Sequence, residues 1–290
     1  MHVIICLVLP RNITVETKGI RLVVMKTSLI ATYCWIILSA TLFIASYQRN
    51  IVWRDELTQW KDVVNKNPST ARPHFNLASS YKRAGQIQEA IREYKTAVQI
   101  RPWFVDAHNN LGDIYYSMGQ LEDSIIEYKT AIRIKPDFEK AHNNLGNVHY
   151  MQGRIKEAMQ EYKTALRLKP DFEGSYINIG VAYKDLGRLD EAIDVFNKAL
   201  KLKPDLAQAY YGLGNVYYLQ GRPQEAIQAY SDAIKLDNKL AGAHNNLGLV
   251  YESLGQIEEA IKQYKWALRL EPEFIDARNN LVNITKEYNR

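Results

Sequence analysis

The segment HNNLGDIYYSMG at residues 108–119 recurs as HNNLGNVHYMQG at residues 142–153 and as HNNLGLVYESLG at residues 244–255. The first two copies are 34 residues apart, and the third begins 102 residues further on, which is three times 34. Self-similarity at a fixed period of this length is typical of stacked repeats, in which each repeat contacts mainly its neighbours. We therefore give each residue a place, from 1 to 34, in repeats that start at Ala71.

This numbering divides the chain into six repeats without an insertion or a deletion: 71–104, 105–138, 139–172, 173–206, 207–240 and 241–274. Place 8 is Gly or Ala, place 24 is Tyr or Phe, and place 27 is always Ala. Place 15 is always Gly, which stops a helix, and place 32 is Pro in all repeats but one, where it is Asn238. Because Pro cannot continue a helical hydrogen-bond ladder, the pattern predicts two helices in each repeat.

These places match the pattern of the tetratricopeptide-repeat (TPR) family, which the chain resembles over the whole of residues 71–274. The resemblance implies an all-α fold, namely a right-handed TPR superhelix, or α-solenoid. At its two ends, we predict a half-repeat capping helix within residues 49–70 and a C-terminal capping helix at residues 275–290, whose outer face is more polar.

An uncharged run of 21 residues, TSLIATYCWIILSATLFIASY, fills residues 27–47. As a helix it would be about 31 Å long, which matches a hydrocarbon core of about 30 Å. The run therefore predicts one transmembrane helix, residues 27–48, that precedes the solenoid and follows a short N-terminal segment, residues 1–26. A cleaved signal peptide is the alternative, although its apolar part is usually only about 7–15 residues long. Met25 also offers a second start.

The net charge of +5 is uneven along the chain. Residues 1–50 carry five Lys and Arg side chains against one Glu, whereas residues 71–290 carry 29 basic and 28 acidic side chains. The basic flank before the apolar run favours a single-pass membrane protein that contacts the lipid bilayer through residues 27–48, with an extracytoplasmic TPR body. A nearly neutral body predicts no binding to nucleic acid, which needs a row of cations.

Places 2, 5, 6, 9 and 12 of each first helix share one side, and the TPR resemblance implies that this side lines a concave groove. Place 6 is Asn in most repeats, and Asn offers both a donor and an acceptor to an extended peptide. The ladder resembles that of the O-GlcNAc transferase TPR domain, which implies peptide binding. The alternative is a feature of the repeat consensus that is tolerated because it caps or hydrates the inner wall. The predicted contacts are Asn76, Asn110, Asn144, Asn178, Asn246, Asn280, Asn109, Asn143, Tyr116, Tyr150, Tyr211 and Tyr218.

Catalytic and metal-binding patterns are not found in the repeats. His74, His108, His142 and His244 all occupy place 4, each in a separate repeat. Because packed helix axes are about 8–10 Å apart, these rings cannot meet at one metal with bonds of about 2 Å. The sequence also shows no nucleophile with a matching base, no paired carboxylates and no phosphate-binding loop. We therefore predict a protein that is not an enzyme and binds no metal and no cofactor.

The junction QRNIVWRDELTQWKDVVNKNPSTARPHFNLASSY, Gln48–Tyr81, resembles the C-terminal tail of transmembrane TPR glycosyltransferases, which are O-mannosyltransferase-like proteins and their bacterial relatives. Their many-helix catalytic part has no counterpart here, so transferase activity does not carry over. The predicted function is a membrane-anchored TPR scaffold that binds protein or extended-peptide partners in its concave groove. The alternative is a substrate-recruiting tail of a membrane glycosyltransferase whose catalytic part is on another chain or upstream.

Overall fold

The structure is a computed structural model that describes residues 14–17, 20–23 and 56–288. Near the N-terminus, strand β1 (Thr14–Thr17) pairs antiparallel with strand β2 (Ile20–Val23). Thr14 lies opposite Val23, and Thr17 lies opposite Ile20. The sequence did not predict this hairpin, because four-residue strands leave too short an alternation of polar and apolar residues to recognise.

The remaining described residues form fourteen α-helices joined by short turns. They are α1 (Glu56–Lys66), α2 (Ala71–Arg83), α3 (Ile87–Ile100), α4 (Val105–Ser117), α5 (Leu121–Ile134), α6 (Glu139–Met151), α7 (Ile155–Leu168), α8 (Glu173–Asp185), α9 (Leu189–Leu202), α10 (Ala207–Leu219), α11 (Pro223–Leu236), α12 (Ala241–Ser253), α13 (Ile257–Leu270) and α14 (Ile275–Tyr288). In all six repeats the first helix runs from place 1 to place 13, and the second runs from place 17 to place 30. The prediction of an all-α repeat solenoid is confirmed.

The turn within each repeat depends on its glycine at place 15. Gly119 has φ +73°, and the other five have φ between +67° and +73°. In this left-handed conformation the N–H of Gly119 donates to the carbonyl of Tyr116 (3.0 Å), and the N–H of Gln120 donates to that of Tyr115 (2.9 Å). These bonds satisfy carbonyls that the end of the first helix leaves without partners, so glycine both stops that helix and reverses the chain.

The chain divides into two compact units, Met1–Ala90 and Ile91–Arg290. In the first unit, helix α1 packs against α2. Glu56 at the start of α1 forms an ion pair with Arg83 at the end of α2. The ammonium group of Lys61 lies 5.3 Å from the centroid of the Tyr81 ring. These contacts hold the half-repeat helix on the first helix of repeat 1.

The core of the second unit is built on one aromatic ring in each repeat. The ring at place 24 is almost completely buried in every case: Tyr94, Tyr128, Tyr162, Phe196, Tyr230 and Tyr264. Each of the last five rings lies against the backbone of the glycine at place 8, so that a Cβ added to Gly112 or Gly180 would be 2.6 Å from the ring. Glycine at place 8 therefore lets the aromatic side chain occupy the space of a missing methyl group.

The prediction of a single-pass membrane protein with an extracytoplasmic body is wrong, because the described helices contradict it. Helices α1–α14 contain at most 14 residues, which corresponds to about 21 Å, whereas a hydrocarbon core is about 30 Å thick. Within residues 14–17, 20–23 and 56–288, no helix has the length and apolar character needed to cross a membrane. The stretch predicted to span the bilayer, residues 27–48, lies outside the described residues.

Replacing Gly180 by Ala should destabilise the protein. The Phe196 ring is held between Gly180 and Gly212, and a Cβ on Gly212 would also overlap it, so the ring cannot move away from a new methyl group. We expect Gly180→Ala to lower the free energy of unfolding by about 1–3 kcal/mol, the usual cost of overpacking a core. Urea unfolding followed by circular dichroism measures the change.

Gly174→Ala provides the matched control for this substitution. A Cβ at Gly174 would be 3.7 Å from the Phe172 ring, an ordinary contact, and Gly174 also lies in α8. We expect its stability to be unchanged or slightly raised, because Ala is a better helix former than Gly. Equal losses in the two variants would show that the ring contact is not what requires glycine.

Candidate functional site

The candidate site is one surface of the second compact unit, which we call the first-helix face. It consists of places 5, 6, 9 and 12 on α4, α6, α8, α10, α12 and α14, because residues three or four apart lie on the same side of a helix. Asn occupies place 6 on all of these helices except α10: Asn110, Asn144, Asn178, Asn246 and Asn280. All five side chains are half-buried rather than fully exposed.

The place-6 amides are hydrogen-bonded to the preceding repeat. Asn178 Nδ2 donates to Asn143 Oδ1 (3.0 Å) and to Asn147 Oδ1 (2.9 Å), which uses both of its N–H groups. The same arrangement recurs at Asn144 with Asn109 (3.2 Å) and Asp113 (2.9 Å), and at Asn246 with Tyr211 (3.2 Å) and Asn215 (2.8 Å), while Asn280 donates to Asn245 (3.0 Å). The amide donors of the ladder therefore tie successive repeats together.

The buried tyrosines extend this network to the second helices. Tyr162 OH donates to Asn147 Oδ1 (2.9 Å), the oxygen that also accepts from Asn178. Tyr128 bonds to Asp113 and Tyr230 to Asn215 in the same way, both at 2.8 Å. Burial raises the pKa of these tyrosine hydroxyls, so they stay protonated as donors. The place-9 side chains of repeats 2, 3 and 5, namely Asp113, Asn147 and Asn215, are thus each held from two directions.

The network has one gap, between repeats 4 and 5. Repeat 4 has Ile177, Val181 and Phe196 at places 5, 9 and 24, where the other repeats of the second unit carry mainly polar groups. Repeat 5 has Gly212 at place 6, where the Phe196 ring leaves no room for a side chain. Repeat 4 therefore lacks the acceptors at places 5 and 9, and repeat 5 lacks the donor at place 6. On the first-helix face, the described residues join these two repeats by apolar packing instead of this hydrogen bond.

Three of the predicted residues meet around a cavity. Tyr116, Tyr150 and Asn178 line a space of about 230 Å³, together with the network residues Asn147 and Tyr162 and the apolar side chains of Met151 and Val181. Burial raises the pKa of the Tyr116 hydroxyl. Burial raises the pKa of Tyr150 to about 12, with a further contribution from Asp185, whose carboxylate accepts a hydrogen bond from the Tyr150 hydroxyl. The cavity lies across repeats 2, 3 and 4.

The other predicted residues lie in different environments. Asn109 and Asn143 are buried, and the Oδ1 atom of each accepts a hydrogen bond from the place-6 Asn of the next repeat. Tyr211 contacts Tyr230, with ring centroids 6.0 Å apart, and Tyr218 is exposed. Asn76 is half-buried on α2, in the first compact unit. Asp185 is not among the predicted residues, although its place 13, beside the place-12 tyrosine of the preceding repeat, was a usable signal.

The histidines His108 and His142 at place 4 contact neighbouring parts of the protein and link helices. His108 Nδ1 lies 2.6 Å from Glu127 Oε2, and its Nε2 lies 3.0 Å from the carbonyl oxygen of Pro102. His142 repeats both contacts with Glu161 (2.6 Å) and Pro136 (3.1 Å). Both ring nitrogens face acceptors, and only the protonated ring can donate to both of them at once. Within residues 14–17, 20–23 and 56–288, no three His, Cys, Asp or Glu side chains are grouped to hold a metal ion.

These contacts shift the pKa of both rings upward. For His108, burial lowers the pKa, but the hydrogen bonds to Glu127 and to the Pro102 carbonyl outweigh it, so the net shift is upward. For His142, the hydrogen bond to Glu161 is the largest cause, and it outweighs burial. Arg133 and Arg167 lower the pKa of His108 and His142, respectively, but do not reverse the shifts.

The repeated helix pairs, with hydrogen bonds between successive first helices, define a TPR protein. The TPR fold is typical of scaffolds for protein–protein interaction. A TPR-repeat model matches residues 79–119, and the model of the cilia and flagella-associated protein 70 C-terminal domain matches residues 103–290. Because the second match covers more than half of the chain, the chain belongs to the family of that domain. No curated protein is similar enough to count as a match.

Solved structures show the same fold. A chain of the APC/C hetero-tetramer Cut9–Hcn1 is 23% identical with a TM-score of 0.71, and the match covers 82% of this chain and 46% of that one. A thermophilic TPR protein of Thermus thermophilus is 23% identical with a TM-score of 0.56, and the match covers 62% of this chain and 98% of that one. The chain thus spans less than half of the Cut9–Hcn1 chain. At this identity, the likeness shows the fold alone.

Replacing Asn178 by Ala should weaken the junction between repeats 3 and 4. The substitution removes two hydrogen bonds and leaves the oxygens of Asn143 and Asn147 with fewer donors. We expect the free energy of unfolding to fall by about 1–3 kcal/mol in a urea titration. Asn279→Ala, an exposed Asn on α14, is the control and should change stability by less than about 0.5 kcal/mol. Equal effects would contradict a structural role for the ladder.

The two histidine contacts should make stability depend on pH. A folded-state pKa above the ordinary value of 6.5 gives a stabilisation that is fully present below pH 6.5 and is lost as the pH rises through the folded-state pKa. We therefore expect the double variant His108→Gln, His142→Gln to lose more stability, relative to the unchanged protein, at about pH 6 than at about pH 8.5. Urea titrations at both pH values measure this difference.

His244 supplies the control, because its Nδ1 lies 2.8 Å from the neutral amide oxygen of Gln263 instead of a carboxylate. His244→Gln therefore replaces a ring at the same repeat place without breaking a contact to a carboxylate. A pH-independent loss in the double variant would show that the rings act as neutral packing groups.

Proposed function

We propose that this protein is a non-catalytic scaffold whose first-helix face binds an extended peptide segment of a partner protein. The observation that carries the proposal is the cavity of about 230 Å³ lined by Tyr116 and Tyr150, beside the ordered row of asparagines. Tyrosine side chains supply a large contact area and a polar tip, and they lose little conformational entropy on binding. A cavity of this size suits one or two side chains of a peptide.

Asn178 beside the cavity offers an acceptor rather than donors. Both N–H groups of Asn178 are used within the network, whereas its Oδ1 accepts no hydrogen bond from the described residues. The Oδ1 of Asn110 is in the same state, while its Nδ2 donates to Tyr94 OH (3.0 Å). The Tyr116 hydroxyl also has no partner among the described residues. These groups favour a ligand that presents backbone N–H groups, which every extended peptide does except at proline.

The fixed network supports binding because it lowers the entropy lost when a ligand is held. The amides and hydroxyls around the cavity already have one orientation, set by bonds of about 3 Å to their neighbours. A preorganised surface leaves more of the contact energy available for affinity than a mobile one does. The side chains around the cavity would therefore need little rearrangement when the proposed peptide binds.

The pKa values of the tyrosine hydroxyls that line the cavity favour a binding role over a catalytic one. A general acid or base is most effective when its pKa is near the working pH. The titratable groups that line the cavity are the three tyrosines, and the pKa of each is raised by burial. The alternative of a substrate-recruiting tail for a glycosyltransferase has no observation in its favour and stays a prediction.

Selection of binding peptides from a random peptide library displayed on phage, with the full-length chain as bait, tests this proposal. Peptides that bind should bind the double variant Tyr116→Ala, Met151→Ala about tenfold more weakly or worse, because truncating central contacts commonly costs about 1.4 kcal/mol or more. The control is the double variant Ile126→Ala, Leu202→Ala, which removes exposed apolar side chains from the second helices. It should bind the same peptides with affinity within about twofold.

Fluorescence anisotropy with synthetic copies of the selected peptides gives the affinities. The proposal would be overturned if no peptide were enriched, or if the Ile126 and Leu202 variant lost as much affinity as the Tyr116 and Met151 variant. Asn178 is a poorer probe than Tyr116, because its substitution also removes the bonds between repeats.

A further inference from the structure

The second helices of the second unit carry two separate rows of charge. The acidic row is place 19, in the first turn of each helix: Asp123, Glu157, Glu191, Glu225 and Glu259. The basic row is places 25 and 29, toward the end of each helix: Lys95, Lys129, Arg133, Lys163, Arg167, Lys201, Lys235, Lys265 and Arg269. Places 19 and 25 are about 9 Å apart along a helix. The nearly neutral sum for residues 71–290 hides this separation.

The basic row is open to an external partner. All nine side chains are exposed, and none forms an ion pair with any residue in the part of the chain that the structure describes. Other basic side chains of the second unit do form ion pairs: Arg188 lies 2.6 Å from Glu191, and Arg222 pairs with Glu225. The acidic row is therefore neutralised locally on α9 and α11, whereas the basic row is not neutralised on any helix.

The helix dipole explains why the acidic row is near the start of each helix and the basic row is nearer the end. It does not explain why the basic row has two basic side chains, at places 25 and 29, on the same helix. A base in the last turn of a helix is stabilised by the negative end of the dipole. Lys129 with Arg133, Lys163 with Arg167, and Lys265 with Arg269 are like charges four residues apart, and such pairs destabilise a helix. Place 21, where a glutamate would relieve the repulsion, is apolar in these repeats. Three helices thus keep an unfavourable arrangement that a bound anion would relieve.

Two shallow depressions lie on the basic row at the same repeat register. One, of about 430 Å³, is lined by Lys156, Lys163 and Arg167 with three uncharged side chains and no acid. The other, of about 320 Å³, contains Lys262, Lys265 and Arg269 beside Trp266, with Glu258 as its single acid. They are on α7 and α13, three repeats apart. The basic row therefore has two concave positions that could hold anionic groups, in addition to its net positive charge.

We propose that the basic row binds an acidic polypeptide segment, rich in Asp or Glu, on a surface distinct from the first-helix face. A single extended chain is narrow enough to follow the basic row without contacting the acidic row. A nucleic acid duplex, whose major groove alone is about 12 Å wide, would overlap the acidic row about 9 Å away. A flat anionic membrane would face both rows. A second copy of this chain would need an open acidic row, but that row is partly neutralised.

The test measures binding of fluorescein-labelled octaglutamate to the full-length chain by fluorescence anisotropy. The row variant carries Lys129→Gln, Arg133→Gln, Lys163→Gln and Arg167→Gln. The control variant loses the same charge elsewhere, through Arg72→Gln, Lys140→Gln, Arg154→Gln and Lys239→Gln, all at exposed positions. A smaller variant, Lys265→Gln with Arg269→Gln, tests the second depression. Thermal unfolding by circular dichroism verifies that each variant is folded.

We expect the row variant to bind octaglutamate about tenfold more weakly or worse, and the control variant to stay within about twofold of the unchanged protein. The smaller variant should lose about threefold, and affinity should fall steeply between about 50 and 200 mM salt. Equal losses in the row and control variants, or no binding of octaglutamate, would overturn the proposal. Tighter binding of single-stranded DNA or of phosphatidylserine vesicles, or a dimer that the row variant abolishes in sedimentation velocity, would assign the row to another partner.

Discussion

The contact between an aromatic ring at place 24 and a glycine backbone at place 8 is the constraint on which the second unit depends. The ring occupies the space that a Cβ would otherwise fill, as Tyr128 does on Gly112 and Tyr162 on Gly146. This close approach brings the two helices of a repeat together and buries the ring almost completely. Because a protein interior is packed as densely as an organic crystal, neither the small nor the large partner can change alone.

The same ring also orders the polar surface. Its hydroxyl reaches the place-9 side chain, as between Tyr162 and Asn147, and that side chain holds the amide of Asn178 in the next repeat. Core packing, the junction between repeats and the surface available to a ligand are therefore parts of one arrangement. Since both N–H groups of Asn178 are used inside it, the chemistry presented outward beside the cavity is mainly that of the Asn178 side-chain oxygen and the tyrosine hydroxyls.

The sequence predicts the helices well because their bounds follow from local signals, such as glycine at place 15 and proline at place 32, that recur at a fixed period. It cannot show that Asn178 bonds to side chains 31 and 35 residues earlier, since this depends on how closely successive first helices approach. A summed charge likewise cannot reveal two rows of opposite sign. The membrane prediction rested on a single apolar run, and no helix among residues 56–288 supports it.

The gap at Gly212 gives the second unit two kinds of junction on the first-helix face. Repeats 2 to 4 are joined on the first-helix face by directional hydrogen bonds, as are repeats 5 and 6 and the last helix. Repeats 4 and 5 meet there through apolar packing, in which the Phe196 ring lies against Gly212 and Ile177 and Val181 pack against the same cluster. Hydrogen bonds weaken steeply when their angle changes, but apolar surfaces can slide over a short distance at less cost. On this face, the junction between repeats 4 and 5 therefore keeps its geometry through the fit of apolar side chains, whereas the other junctions keep theirs through the angles of hydrogen bonds.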